Sequence, residues 1–93
     1  MTPEDRAKDL LDRGYVEVES AAGFSVGDRV HHIGEQYYDA RQRGTGSVER
    51  IFEKPSLLRY VDVELIVKRD QPGWFPTDTH GYWANYHTQG VKA

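Results

Sequence analysis

Val26-Gly27-Asp28-Arg29-Val30, Gly44-Thr45-Gly46-Ser47-Val48-Glu49-Arg50-Ile51 and Tyr60-Val61-Asp62-Val63-Glu64-Leu65-Ile66-Val67 are three strand signals in succession, the first two punctuated by glycine. Glycine supplies backbone conformations that a Cβ would penalise, and β-branched residues suit a pleated, half-buried surface. Together the three stretches predict a small, strongly bent β-barrel. In the second, Val48 and Ile51 stand three apart, which breaks the period of two and predicts a bulge near Glu49-Arg50. Lys54-Pro55-Ser56 then closes that strand. In the third, Val61, Val63, Leu65 and Val67 give the cleanest alternation in the chain, with Asp62, Glu64 and Lys68 on the other, solvated face. This stretch is expected to be the central strand, and Val30, Val48, Ile51, Val63 and Leu65 are expected to pack together.

Upstream, Thr2-Pro3-Glu4-Asp5 combines an N-cap hydroxyl, proline at the first helical position and acids in the first turn. Asp5 stands where a capping-box acid stands. Ala7, Leu10 and Leu11 form one narrow apolar stripe, and Gly14 is a natural stop, so a helix is predicted over 3–13. So short a helix is marginal alone and should dock its leucines on the barrel or on a partner. Tyr15 to Glu19 alternates as a first strand with a solvated acidic face, Ser20 to Gly23 connects, and Val26 to Ile33 is the next strand. Gly34 to Arg43 is a polar loop carrying Tyr37-Tyr38. Gln71 to Gly81, with two prolines and two glycines, is read as irregular. Tyr82 to His87 is expected as a further strand, and Gly90-Val91-Lys92 as a short closing pairing.

Ninety-three residues make one domain, with residues 1–14 as the helix and 15–93 as the barrel. With 38% hydrophobic and 29% charged residues the chain is polar yet within the globular range. There is no cysteine, which removes disulfides and thiolate chemistry and suits a reducing compartment, so the cytoplasm is the expected location. No stretch resembles a secretion signal or a membrane span. The first twenty residues hold six acids against three bases, and the remaining seventy-three balance. A barrel without net positive charge lacks the electrostatic footprint of a protein that lives on nucleic-acid phosphates.

Valine-glycine-Asp-Arg-valine, a loop, Gly44 to Ile51, a connection and Val61 to Leu65 together resemble the SH3-like small barrels of the KOW and Tudor type, over about two-thirds of the chain. The resemblance implies a mostly β fold, a five- or six-stranded SH3-like barrel with a short N-terminal helix, and leaves function open because such barrels serve unrelated roles. The aromatic insertion between Asp70 and Tyr82 and the added helix depart from the pattern. Short acidic chains of this style are also similar to bacteriophage accessory proteins that act on a host factor, a likeness carried by no motif.

Tyr37, Tyr38, Trp74, Phe75 and Tyr82 are the candidate partner-binding residues. Loops at one end of such barrels converge, so these aromatics can line a groove of the sort that takes proline-rich segments or methylated ammonium groups. Trp74 and Trp83 have an alternative role as plugs of a small core, Trp83 the more so because it lies in a strand. At least one aromatic should stay exposed. His31 and His32 face opposite ways on a strand and cannot share an ion, so no metal site is expected. Ser20, Ser25, Ser47 and Ser56 sit in turn or strand-start contexts, and Asp62 with Glu64 is an ordinary solvated strand face. No catalytic residue and no cofactor is expected. The reading is a non-enzymatic module that binds another protein. The alternative is a nucleic-acid-binding or transcription-associated barrel that uses Arg41, Arg43, Arg50, Arg59, Lys68 and Arg69.

Overall fold

The computed structural model describes residues 2–33, 44–55, 61–71 and 79–91, Val61 by its backbone alone. It is mostly β, with one N-terminal helix, α1, over Pro3–Asp12. The helix begins as its sequence dictates: the Asp5 amide donates to the Thr2 hydroxyl, and the Thr2 amide donates to the Asp5 carboxylate. That exchange holds the Asp5 carboxyl below the usual carboxylate range. Gly14 follows at φ +93°, a conformation L side chains avoid. Lys54 Nζ donates to the Arg13 carbonyl at 2.8 Å, placing a cation at the negative end of the helix.

Among the described residues eight strands follow: β1 Val16–Val18, β2 Ser20–Ala21, β3 Phe24–Ser25, β4 Arg29–His32, β5 Thr45–Pro55, β6 Val61–Arg69, β7 His80–Ala84 and β8 Thr88–Gly90. A six-stranded antiparallel sheet runs β7-β6-β5-β4-β8, with β1 added to β5 beside β4. The bulge falls where the spacing placed it, between Val48 and Arg50. Four expectations shift. The strand expected from Val26 starts at Arg29, because Val26-Gly27 is a turn with Gly27 at φ +95°. The Ser20–Gly23 connection is itself a hairpin, β2–β3, turning through Ala22 and Gly23. The strand expected over Tyr82 to His87 begins at His80 and stops at Ala84, where a 3-10 turn, Asn85–His87, takes over. The middle of the sheet is β5, which pairs with β6 on one edge and with β4 and β1 on the other.

The ladders do not close into a ring: β7 and β8 stand at the two ends of the path and are joined through the 3-10 turn. The sheet is nonetheless sharply curled. Three strand spacings of about 4.8 Å separate β4 from β7 in a flat sheet. Yet the rings of His32 on β4 and Trp83 on β7 lie 5.2 Å apart. The concave face therefore forms one core of Phe24, Val30, Val48, Ile51, Val63, Leu65, Val67 and Trp83, which includes all five residues expected there.

The convex face is covered as well. Ala7 and Leu10 of α1 pack with Tyr15, Phe52 and Ile66, with Tyr82 half-buried against them. Docking is thus within the chain, through Leu10, while Leu11 stays 49% exposed. Glu64 does not lie on a solvated face. Its carboxylate sits under the helix, 3.5 Å from Arg6, and burial pushes its pKa above the ordinary value against the pull of Arg6. No helix among the described residues is long and apolar enough to cross a membrane.

Candidate functional site

Two segments rich in aromatics leave the sheet at the same end. The first departs after Ile33 and returns at Gly44; the second departs after Gln71 and returns at Thr79. Their stems are tied together by backbone hydrogen bonds. The His32 amide donates to the Gly44 carbonyl at 2.6 Å, the Asp70 amide to Thr45 at 3.0 Å, and the Arg69 amide to Thr79 at 2.9 Å. The Ile33 amide donates to His87 at 2.7 Å, which brings the 3-10 turn into the same group. Antiparallel pairing explains the convergence, since the end of β4, the start of β5, the end of β6 and the start of β7 must all lie at one edge of the sheet.

A ladder of rings rises from the core at this place. Trp83 is buried, and His32 meets it edge-on at 5.2 Å. His87 lies 5.6 Å from His32, and Tyr86 stands edge-on to His87 at 4.4 Å. The ladder ends in Tyr86, which is 71% exposed, and Ile33, whose amide bonds to His87, is 46% exposed. An aromatic held rigidly from beneath loses little side-chain freedom on contact with a partner.

Among the described residues, Arg29 and Arg50 are both engaged by carboxylates. Arg29 grips Asp70 through both guanidinium nitrogens, with Nη1 to Oδ1 at 2.8 Å, and also donates to Ser47. The hydrogen bond from Arg29 holds the Asp70 carboxyl below its ordinary range. Farther along the convex face, Arg50 makes a two-pronged contact with Glu17 at 2.7 and 2.8 Å and reaches Glu4 at 3.5 Å.

Of the five residues marked in the sequence for partner binding, Tyr37, Tyr38, Trp74 and Phe75 lie outside the described residues. The fifth, Tyr82, is half-buried against the cluster beneath α1, on the convex face. Trp83 takes the core role. Tyr86 was visible in the sequence only as one of several nearby aromatics. Its exposure comes from the 3-10 turn, and the loss of alternation after Trp83 is the signal for that turn. Among the basic residues considered for nucleic acid, Arg41, Arg43 and Arg59 lie outside the described residues, and Arg50 is engaged by carboxylates. His31 and His32 point to opposite faces, as the strand requires. Among the described residues no group of three or more metal-binding side chains gathers.

Comparison with protein-family models, curated proteins and solved structures finds no match.

Proposed function

We propose that this chain is a non-enzymatic protein-binding module built on an SH3-like barrel. Curling of the sheet, seen in the approach of Trp83 to His32 across three strand spacings, supports the barrel reading. The observation that carries the function is the convergence described above: the stems of the segments holding Tyr37, Tyr38, Trp74 and Phe75 are hydrogen-bonded together beside exposed Tyr86 and Ile33. Aromatic side chains on loops of a rigid scaffold are the usual anchors of protein interfaces. Internal pairing of Arg29 and Arg50 with carboxylates favours a protein partner over a phosphate backbone.

Affinity capture from a host lysate, with the intact chain as bait and mass spectrometry as readout, tests this reading. A captured protein should be lost when Tyr86→Ala or Trp74→Ala is the bait, by about 2 kcal/mol or more in affinity. Both variants should keep the thermal midpoint, whereas Trp83→Ala should lower it. Undiminished capture by both variants would overturn the assignment. So would submicromolar binding of an oligonucleotide at ~0.15 M salt, where weak phosphate attraction is screened.

A further inference from the structure

A second surface lies on the opposite part of β5 from the loop end. The hairpin β2–β3 folds beside β1 and leaves an open cleft of about 810 Å³ lined by Glu17, Val18, Glu19, Ser20, Ser25 and Val26. Three features of this cleft are independent of one another. First, β1 pairs with β5 along one edge, and over Val16–Val18 no strand among the described residues adds to the other; just beyond, the Val26 amide donates to the Glu19 carbonyl at 3.0 Å. An edge of this kind presents unpaired amide and carbonyl groups that template an added strand. Second, Val26 in the cleft wall is 48% exposed, and Val16, at the start of β1, is 57% exposed. Third, its charge is acidic. Glu17 is offset by Arg50, but Glu19 makes no ion pair among the described residues. Asp28, three residues beyond Ser25, accepts from the Ser25 amide at 2.9 Å.

From these we infer that the β1 edge and its cleft receive an extended, basic peptide segment with alternating apolar residues, added as a further antiparallel or parallel strand. Backbone pairing supplies the affinity, Val16 and Val26 receive the apolar side chains, and Glu19 with Asp28 selects lysine or arginine. This goes beyond the function proposed above, because it places a second recognition surface away from Tyr86 and Ile33.

The test is a titration of the full chain, isotopically labelled, with the capped peptide acetyl-Lys-Val-Arg-Val-Lys-Val-amide, followed by amide chemical shifts. Shifts should concentrate in residues 16–26, and amide exchange of β1 should slow. The same peptide with glutamate at each basic position should bind at least tenfold more weakly. Glu19→Lys should weaken binding of the basic peptide at least tenfold while leaving the circular-dichroism spectrum and thermal midpoint in place, and Tyr86→Ala should leave it unchanged. No shift in residues 16–26, shifts confined to the loop end, or equal binding of the acidic peptide would each overturn the inference. The lysate capture above reads the other surface, so either result can fail without the other.

Discussion

The indole of Trp83 occupies the space above Gly81: a Cβ built on Gly81 would overlap Nε1 and Cε2 of the indole. Residues two apart on a strand share a face, so the tryptophan folds back over its own strand only because position 81 has no side chain. Gly81→Ala should therefore force Trp83 away from His32 and cost about 1–3 kcal/mol, the usual penalty of overpacking. Urea denaturation checks the cost, and tryptophan fluorescence reports the displaced ring. A variant as stable as the wild type, with an unchanged spectrum, would contradict this geometry.

Neighbouring leucines of α1 should behave differently. Leu10 is fully buried against Phe52 and Ile66, while Leu11 is half exposed. Leu10→Ala should cost about 2–5 kcal/mol through lost transfer energy and a cavity. Leu11→Ala should stay within about 0.5 kcal/mol. Equal losses in the two variants would mean that the helix docks on another face.

Glu64 makes stability depend on pH with a definite sign. Its folded pKa is raised, chiefly by burial, with Arg6 and Arg13 opposing and Asp62 reinforcing the shift. The protonated form is the one the fold favours. The stabilising contribution is full below the unfolded carboxylate pKa and is lost as pH rises through the folded value. Glu64→Gln removes this titration, so the variant should gain on the wild type between pH 4 and pH 7. Glu17, held low by Arg50, and Asp70, held low by Arg29, act in the opposite direction and are common to both proteins. Urea midpoints at the two pH values read the difference, and a constant gap would refute the assignment.

In the β2–β3 turn, Ala22 has φ +53° and Gly23 φ +83°. Two successive positive φ values are those of a type I′ hairpin turn, in which asparagine followed by glycine is favoured and alanine is strained. Ala22→Asn should raise stability by about 0.5–1 kcal/mol. Gly23→Ala should lower it, although nothing crowds the position. Thermal melts suffice as the measurement, and a loss of stability in Ala22→Asn would argue against this turn.

How much the sequence disclosed follows from what each pattern physically encodes. The Thr2 and Asp5 side chains can satisfy each other only at a helix start, so α1 was legible almost to the residue. The three-residue step from Val48 to Ile51 can keep both inside only with a bulge, and the bulge is there. Alternation in β6 separated its two faces but carried no information about what covers each. Ile66 and Glu64 were therefore not recognisable as residues beneath a helix, since that depends on where Leu10 lands. The start of β4 was misplaced because valine has strand propensity even in a turn set by Gly27. At the candidate site, clustering of aromatics was readable, but exposure of Tyr86 depends on a 3-10 turn that ends a strand for tertiary reasons.

Pairing of β4 with β8 also dictates an order of assembly. β5 and β6 are neighbours in the chain and share the longest ladder, from Gly46–Arg69 to Pro55–Val61. Their contacts close at small entropic cost. Val30, by contrast, must find Gly90 across about two-thirds of the chain, a closure that no earlier local contact shortens unless the intervening strands are already in place. Contact order accordingly predicts that the β5–β6 pair forms first and that β8 closes last: substitutions in the pair should act on the rate of folding, and those in β8 on the rate of opening. The ring ladder joins His32 of β4 to His87, the residue just before β8, so the surface proposed to meet a partner should be complete only once β8 has paired with β4.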